Sequence, residues 1–405
     1  MGKVLTFVLA GGRGERLWPL TRDRAKPAVR LGGIYRIIDT LSNCLNSGLR
    51  QAFVLTQYKS LSLARHIDLG WSLFSSAVGE FIATVPPQQR IANHWCLRTA
   101  DAIYQNWYSV ERHSLSWDRP GLILAGDHVY KMDYRIMVSA HRERDADLTV
   151  GVVTMDRRQA AGKLGVLAVD RDWRVLQFEE KPGQPTPSPE DPGSCLASMG
   201  IYAFKTDVLW TRLQEHADDP RSGHDFGRDV INRMVGEDKV LALPLAAASR
   251  NDVPYWRDVG SLDAYWDAHM DLVAVMPQFN LYDRRWPIHT YYAPWPPAKT
   301  VHREPGRTGE ALDSLLSPGC IVSGGRVVRS VLSPGVRVNS YALVEESVLL
   351  DDVDVGRGAR IRRAIVDKGV NIPAGEEIEY SRPQDERRFD VSPAGVVAIP
   401  KEYAF

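Results

Sequence analysis

The sequence predicts an α/β protein: a mostly parallel, doubly wound (Rossmann-like) domain followed by a left-handed parallel β-helix. Up to about residue 270, apolar strand-like runs alternate with helix-like segments, which is typical of a parallel sheet covered by helices. After Leu312 the apolar residues recur every five or six positions. That spacing fits neither an α-helix nor a flat strand, and it suits a chain wound into stacked triangular coils.

The composition excludes several classes of protein. Among 405 residues, Lys plus Arg and Asp plus Glu number 50 each, so the net charge gives no reason to expect a nucleic acid or a membrane as partner. No stretch is apolar enough to span a bilayer, and we expect no signal peptide before the first strand. The scattered cysteines suit reduced thiols, which favours a cytoplasmic protein. They are Cys44, Cys96, Cys195 and Cys320.

We expect three segments. Residues 1–275 form the α/β domain, residues 276–310 form a linker rich in Pro, Tyr and Trp, and residues 311–405 form the β-helix. The expected strands are Val4–Leu9, Ala52–Thr56, Leu122–Ala125, Leu148–Val153, Val166–Val169, Val175–Phe178, Ile201–Phe204 and Val240–Pro244. Helical patterns lie between several of them, for example at Ala100–Glu111 and Arg228–Val235. The strands around Arg171–Trp173 are expected to pair as a hairpin.

The β-helix prediction depends on one apolar column. Its members are Ile321, Val327, Val331, Val336, Ala342, Val348, Val353, Ala359, Ile365 and Val370. Gly, Asn, Asp and Ser fill the gaps, and stacking of the coils would bury the column. A small sandwich of short β-strands is the alternative.

A glycine-rich turn follows the first strand. It contains Gly11, Gly12 and Gly14, which let the backbone turn tightly and direct its N–H groups at phosphate oxygens. Arg16 and Lys26 add positive charge. No Gly-Lys-Ser/Thr ends the run, and Leu17 replaces the last glycine of a dinucleotide fingerprint. The pattern therefore predicts a nucleoside triphosphate site, with a glycine-rich turn that binds nothing as the alternative.

Two aspartates predict a magnesium site. Asp127 follows an apolar strand directly, and Asp258 lies in a second strand-like segment. Mg²⁺ needs few carboxylates when phosphates and water complete its coordination. A helix cap or Asx turn is the alternative role of Asp127. Arg257 is not expected to pair with Asp258, because adjacent strand residues point to opposite faces.

Seven further segments complete one pattern. They are Gln88–Arg90, Thr99–Ala102, Leu124–Tyr130, Phe178–Pro182, Ala197–Tyr202, His224–Gly227 and Tyr255–Gly260. With the glycine-rich turn they closely resemble the bacterial glucose-1-phosphate adenylyltransferases of the sugar nucleotidyltransferase family. The resemblance implies that ATP and α-D-glucose 1-phosphate react to give ADP-glucose and pyrophosphate, for glycogen or α-glucan synthesis. It also implies a Mg²⁺ cofactor, allosteric regulation and a homotetramer.

The resemblance assigns roles to individual residues. Arg16, Lys26, Asp127 and Asp258 are expected to be catalytic, and both aspartates are expected to hold Mg²⁺. The ATP-binding residues would be Gly11, Gly12, Gly14, Arg16, Gln89, Thr99 and Ala100. Glucose 1-phosphate would contact Cys96, Gly165, Glu180, Lys181 and Ser198. Independently of the resemblance, the ten histidines are not clustered in the sequence, so His128 and His224 are expected to hydrogen-bond strand ends rather than bind metal.

The sequence departs from the family pattern at two positions near the expected substrates. Cys96 stands where the family has a tyrosine that contacts glucose 1-phosphate, and Arg98 stands where it has a glycine. Because of these changes, a catalytically weak regulatory subunit is an alternative function. An enzyme that uses another nucleotide or sugar phosphate is a further alternative. An acyltransferase built on the β-helix is disfavoured, because residues 308–405 contain no histidine.

The resemblance also implies binding of anionic effectors, sugar phosphates or nucleotides, between the two domains. The basic residues expected there are Arg24, Arg30, Arg36, Arg112 and Lys368. Ordinary interdomain salt bridges are the alternative role of these side chains. Asp23 replaces a basic residue found in members that fructose 1,6-bisphosphate activates. Like-charge repulsion is therefore expected to weaken that activator here.

Overall fold

The computed structural model describes residues 4–87, 99–112, 119–219, 222–246 and 254–405. Two predicted site residues, Gln89 and Cys96, lie outside these ranges, as does Arg98. Within them, no helix combines the length and the apolar character that a membrane crossing requires.

The first part of the chain alternates strands and helices. Its strands are β1 (Leu5–Ala10), β2 (Arg30–Leu31), β3 (Tyr35–Arg36), β4 (Gln51–Thr56), β5 (Phe81–Val85), β6 (Pro120–Ala125), β7 (His128–Tyr130), β8 (Leu148–Asp156), β9 (Val166–Val169), β10 (Val175–Glu179), β11 (Ser194–Lys205), β12 (Val240–Pro244) and β13 (Trp256–Asp258). Its helices are α1 (Thr40–Asn46), α2 (Leu61–Gly70), α3 (Thr99–Arg112), α4 (Tyr134–Glu143), α5 (Arg157–Ala160), α6 (Thr206–Asp218), α7 (Asn232–Glu237) and α8 (Leu262–Leu272). A π-helical turn, Phe226–Ile231, leads into α7.

Nine strands form the central sheet. Its order is β10-β9-β11-β6-β1-β4-β5, and β8 pairs with both β11 and β12. Strand β1 is parallel to β4 and β6, and β12 is parallel to β8. Strand β11 runs antiparallel to β6, β8 and β9, as β10 does to β9. All other strands share one direction, so the predicted mostly parallel α/β sheet is confirmed.

Helices cover both faces of this sheet. Successive strand residues point to opposite sides, so Phe7 of β1 packs in the core that contains Trp107 of α3. Its neighbour Val8 packs in the other core, with Ile67 of α2 and Met137 of α4. Because both sides of β1 are buried, its sequence is apolar except for the buried Thr6, rather than alternating.

The predicted hairpin occurs at one edge of the sheet. Strands β9 and β10 pair antiparallel around Arg171–Trp173. The carboxylate of Asp170 accepts hydrogen bonds from the backbone N–H groups of Asp172 and Arg174, at 2.9 and 2.8 Å. These side-chain bonds substitute for a backbone turn and close the loop.

The second part of the chain winds into a three-sided coil. Its strands are β14 (Lys299–Val301), β15 (Arg303–Glu304), β16 (Arg307–Thr308), β17 (Glu310–Leu312), β18 (Leu315–Leu316), β19 (Ile321–Ser323), β20 (Arg326–Val328), β21 (Val331–Leu332), β22 (Arg337–Val338), β23 (Leu343–Glu345), β24 (Val348–Leu349), β25 (Asp354–Val355), β26 (Arg360–Arg362), β27 (Ala364–Val366), β28 (Asn371–Ile372), β29 (Glu377–Ile378), β30 (Asp390–Val391) and β31 (Val397–Ile399), with a short helix α9 (Arg382–Asp385). Three stacks of parallel strands form the faces, and β30 joins one of them antiparallel.

The register of these stacks explains the apolar spacing. Val327, Val344, Ile361 and Ile378 pair in successive coils and are all buried. Every member of the predicted apolar column is buried except Ile321, which is half-buried. The hexapeptide coil is therefore confirmed, and its architecture is consistent with a left-handed β-helix.

The two parts share a hydrophobic core. Val29 and Tyr265 pack there with Val348 and Ile365 of the coil. The Trp266 indole N–H donates to the Glu346 carbonyl at 2.6 Å. Between α8 and β14, Phe279 and Trp286 are buried. The α/β part of the chain therefore packs directly on the β-helix. The domain limits at residues 275 and 310 stay a prediction.

Candidate active site

A cavity of about 860 Å³ opens at the C-terminal ends of the parallel strands β1, β4 and β6. In open α/β sheets this edge is where ligands bind. Of the predicted site residues, the ones that line it are Gly11, Gly12, Gly14, Arg16, Lys26, Thr99, Asp127, Glu180 and Lys181.

The glycine-rich turn packs closely against Lys26 at Gly14. Gly14 has φ of 65°, a conformation that glycine adopts without strain. A Cβ there would lie 2.9 Å from Thr21 Cγ2 and 3.1 Å from Lys26 Cβ. The Thr21 hydroxyl donates to the Gly14 carbonyl at 2.9 Å. The turn therefore requires glycine at this position both for its backbone angle and for its packing.

Lys26 lies between the two predicted metal-binding aspartates. Its Nζ is 3.1 Å from Asp127 Oδ2 and 2.7 Å from Asp258 Oδ1. Lys26 is only 5% exposed. Burial alone would lower the pKa of Lys26, but the two carboxylates outweigh that effect and raise it. For Asp127 the effects have the opposite signs. Burial alone would raise its pKa, but the nearby Lys26 ammonium and His128 lower it to about 2. All three groups are therefore charged at neutral pH.

Two local features position these carboxylates. The N–H of Gly126, beside Asp127, donates to the Leu9 carbonyl at the end of β1, at 2.9 Å. Strands β7 and β13 form a two-stranded antiparallel ribbon in which Asp258 faces His128. Arg257 points away and pairs with Asp271 at 2.6 Å, as the strand alternation predicts.

The acidic pair fits a divalent ion. Ligand atoms of Asp127, His128 and Asp258 all lie within 4.8 Å of one another. The Asp127 side chain is 35% exposed towards solvent, so the group is accessible. Carboxylate oxygens completed by phosphates and water are what Mg²⁺ prefers. Arg16 stands beside the pair, with its Nη2 atom 3.4 Å from Asp258 Oδ2.

Glu180 and Lys181 form another wall of the cavity. Lys181 Nζ lies 2.5 Å from Glu180 Oε1, and the lysine is held at φ of 50° at the start of the turn after β10. A Cβ on Gly227 would come 2.7 Å from Glu180 Oε2, so the π-helical turn packs closely on this carboxylate.

Gly165 and Ser198 lie behind that wall. The Ser198 N–H donates to the Gly165 carbonyl at 2.8 Å. Its hydroxyl lies 3.3 Å from the hydroxyl of Tyr202, which lines the cavity. The structure therefore brings these two predicted residues together and links them to the cavity through Tyr202.

Thr99 and Ala100 open helix α3 at the cavity edge. The Thr99 hydroxyl accepts the Phe226 N–H at 3.1 Å, and the Ala100 N–H donates to the His224 carbonyl at 3.2 Å. Ala100 itself is buried. These bonds tie the expected nucleotide side of the cavity to the turn beside Glu180.

The sequence reasoning assigned no role to Gln57. This residue follows β4 directly and lines the cavity. A Cβ on Gly11 would lie 2.7 Å from Gln57 Oε1, so the amide packs on the glycine-rich turn. Its position one residue past a strand parallel to β1 is the signal that would have found it.

The predicted effector residues divide into two groups. Arg30 and Arg36 line a second cavity of about 300 Å³, together with Arg65, His66 and aromatic residues of the segment after α8. Arg24 instead forms a buried bidentate salt bridge with Asp367, in which both N–O distances are 2.9 Å. Lys368 pairs with Asp351 at 2.9 Å, and Asp351 also accepts from Arg30. Arg112 ends α3, and its side chain lies outside the described part of the structure.

Comparison with known proteins agrees with this architecture. A family model described as Nucleotidyl transferase matches residues 5–274, and one described as GlmU-like, C-terminal hexapeptide matches residues 296–399. Three relatives carry the name glucose-1-phosphate adenylyltransferase. The Rhodopirellula baltica protein is 52% identical over 99% of this chain and 90% of its own length. The Koribacter versatilis protein is 50% identical over 100% and 97%, and the Methylococcus capsulatus protein 48% identical over 98% and 93%. Identity of this order over both domains shows that the chain belongs to the glucose-1-phosphate adenylyltransferase family of nucleotidyl transferases.

Proposed function

We propose that this chain transfers the adenylyl group of ATP to α-D-glucose 1-phosphate, forming ADP-glucose and pyrophosphate for glycogen or α-glucan synthesis. Full-length relatives of that name support the activity. The observation that carries it is the Lys26–Asp127–Asp258 cluster, since Lys26 and Asp127 line the same cavity as Glu180 and Lys181. Such a cavity offers cationic groups to two phosphorylated substrates at once.

The reaction is an in-line displacement. A phosphate oxygen of glucose 1-phosphate attacks the α-phosphorus of ATP, and the bond from that phosphorus to the bridging oxygen of pyrophosphate breaks. Such chemistry needs positioning and charge neutralisation more than a protein nucleophile. The N–H groups of the glycine-rich turn and Arg16 would hold the triphosphate, and Lys26 would bind the α-phosphoryl group.

The sugar phosphate would bind at the wall formed by Glu180 and Lys181. Lys181 offers a cation to its phosphate, and Glu180 can accept hydrogen bonds from sugar hydroxyls. Cys96 stands where the family pattern has a tyrosine, so the contact from that position is expected to be weaker. Gly165 and Ser198 would shape the pocket from behind through Tyr202.

We assign Mg²⁺ to Asp127 and Asp258. When bound, the ion neutralises charge on the triphosphate and on the sugar phosphate. Lys26 now occupies the space between the two carboxylates. Its ammonium is therefore already next to the place where the α-phosphoryl group is expected.

The second cavity is proposed as the effector site. Burial and the neighbouring Arg30 lower the pKa of Arg36 to about 9. Among the described residues, no partner faces Arg36 Nε. An anionic sugar phosphate or nucleotide would raise the pKa of Arg36 and give its Nε a hydrogen-bond partner. Arg24 and Lys368 pair with aspartates and are not among the residues that line this cavity, so they would act by holding the two domains together. Arg30 also pairs with Asp351, but it lines the cavity. A homotetramer in the cytoplasm is proposed from the family resemblance.

Pyrophosphate release from the purified protein tests the activity. Initial rates with glucose 1-phosphate are measured for ATP, UTP, GTP and dTTP, each with and without fructose 6-phosphate. ATP is expected to be used at least tenfold better than the other nucleotides. Preference for another nucleotide would indicate a different sugar nucleotidyltransferase. Absence of turnover with all four would favour the regulatory-subunit alternative.

A further inference from the structure

We propose that His128 is a third protein ligand of the divalent ion, which makes this a site of two carboxylates and one imidazole. The inference rests on the proposed function only in assuming that an ion binds at Asp127 and Asp258. The sequence pattern assigns His128 a purely structural hydrogen bond, and the geometry shows that this bond uses one of its two ring nitrogens.

The imidazole faces both carboxylates. His128 Nε2 lies 3.5 Å from Asp127 Oδ1 and 4.0 Å from Asp258 Oδ1. Neighbouring ligands of an octahedral ion with bonds near 2.1 Å stand about 3 Å apart, and opposite ligands about 4 Å apart. The observed separations fall in this range, so small side-chain rotations bring all three atoms to one ion.

The other ring nitrogen is already engaged. His128 Nδ1 lies 3.1 Å from the Met199 carbonyl oxygen, which can only accept, so Nδ1 carries the proton. The neutral ring then has a lone pair on Nε2. Metal-binding histidines commonly donate their second N–H to a backbone carbonyl in this way.

The ring is also held in place. Its edge packs against the Trp256 indole, with centroids 5.0 Å apart and an interplanar angle of 73°. Gly200 has φ of 68°, and a Cβ there would come 3.6 Å from His128 Cε1. His128 is therefore oriented by β11 and β13 before any ion arrives, and its 13% side-chain exposure leaves Nε2 accessible from the cavity.

Lys26 competes with such an ion. Its ammonium and the ion both require Asp258 Oδ1. Ion binding would release Lys26 towards the α-phosphoryl group. Imidazole favours Mn²⁺ and Co²⁺ over Mg²⁺, which prefers oxygen ligands. The proposal therefore predicts that this site favours Mn²⁺ over Mg²⁺ more strongly than a site made of carboxylates alone would.

Electron spin echo envelope modulation of bound Mn²⁺ tests the ligand directly. The full-length enzyme is loaded with Mn²⁺ and pyrophosphate, which contains no nitrogen. We expect nitrogen coupling typical of imidazole, which changes from the ¹⁴N to the ¹⁵N pattern when the protein is labelled with ¹⁵N-histidine. His128→Gln should abolish this coupling and weaken Mn²⁺ binding at least roughly tenfold. It should weaken Mg²⁺ binding less, because the amide still offers an oxygen.

His302→Gln, a substitution in the β-helix, is the matched control and should keep both the coupling and the affinity. The proposal is overturned if the parent enzyme binds no Mn²⁺, if bound Mn²⁺ shows no histidine coupling, or if His128→Gln retains it. ADP-glucose formation is measured in parallel. If the parent enzyme makes ADP-glucose but shows no histidine coupling, only the role of His128 as a metal ligand is refuted. If it shows the coupling but makes no ADP-glucose, only the proposed function is refuted. The ¹⁵N-labelled parent provides a test even if His128→Gln does not fold.

Discussion

The Lys26 ammonium lies 2.7 Å from a carboxylate oxygen of Asp258, although 232 residues separate them in the chain. Lys26 opens a short 3₁₀ turn, Lys26–Ala28, after the glycine-rich loop, and Asp258 ends β13. The contact joins the expected nucleotide-binding loop to the expected metal site. Substitution of either residue should therefore affect both functions.

Lys26→Ala should lower the rate of pyrophosphate release by about 10²–10³-fold, because a charge that stabilises the transition state is lost. The same change should tighten Mn²⁺ binding to the free enzyme, because the competing ammonium is gone. Rates and a Mn²⁺ titration followed by electron paramagnetic resonance measure the two effects. Lys299→Ala, on the exposed β14, is the control. Unchanged Mn²⁺ affinity in Lys26→Ala would contradict the competition.

Asp127→Asn should nearly abolish turnover and leave the fold intact, because one of the two metal carboxylates is lost. Thermal unfolding and the pyrophosphate-release rate are measured together. Asp133→Asn is the matched control, since Asp133 caps α4 outside the cavity and accepts the Arg135 N–H at 2.9 Å. Asn caps a helix as well as Asp does, so that control should change neither stability nor activity appreciably. A normally folded Asp127→Asn enzyme with half the parent rate would exclude the metal role.

Lys181→Ala should raise the KM for glucose 1-phosphate much more than the KM for ATP, because a contact made equally in ground and transition states appears in KM. Glu180 then loses its 2.5 Å partner. Lys163→Ala, an exposed change nearby, should alter neither constant. Equal increases for both substrates would show that Lys181 does not bind the sugar phosphate.

His66 should make stability depend on pH. Burial and the nearby Arg36 and Arg30 lower its pKa to about 3, whereas an unfolded chain titrates near 6.5. Between these values the unfolded state binds more protons, so stability rises as pH increases through that window. The unfolding temperature of His66→Gln, measured between pH 4.5 and 7.5, should change less steeply than that of the parent. Equal slopes would show that His66 binds its proton equally well in the folded and unfolded states.

Fructose 1,6-bisphosphate should activate weakly, and fructose 6-phosphate should be the better effector. Asp23 lies outside the lining of the second cavity, so its charge would act on a bound effector through space rather than by contact. Arg22 balances that charge only in part, through a half-exposed pair at 3.2 Å. A repulsion of about 1.4 kcal/mol corresponds to a tenfold loss of affinity. Both sugar phosphates are titrated at fixed ionic strength on the parent and on Asp23→Lys. Strong activation of the parent by micromolar bisphosphate, or no change in Asp23→Lys, would contradict the charge argument.

Local sequence patterns determined the elements of this protein. The apolar run of β1, the strands Val166–Val169 and Val240–Pro244, and the regular apolar spacing of the coil all appear in the structure. The pattern also located the glycine-rich turn and Asp127 at strand ends. Burial of side chains at a regular period leaves a signal within a few residues, which explains why these features can be predicted.

Contacts between distant segments were decided by the tertiary structure alone. The sequence does not show that Lys26 would lie between Asp127 and Asp258, or that Arg24 would pair with Asp367 of the β-helix rather than face an effector. It also does not show that β11 would extend over Ser194–Lys205 and cross the sheet antiparallel. Charged side chains carry no periodicity, and their partners are selected by the packing of whole domains, so only the folded chain brings these groups together.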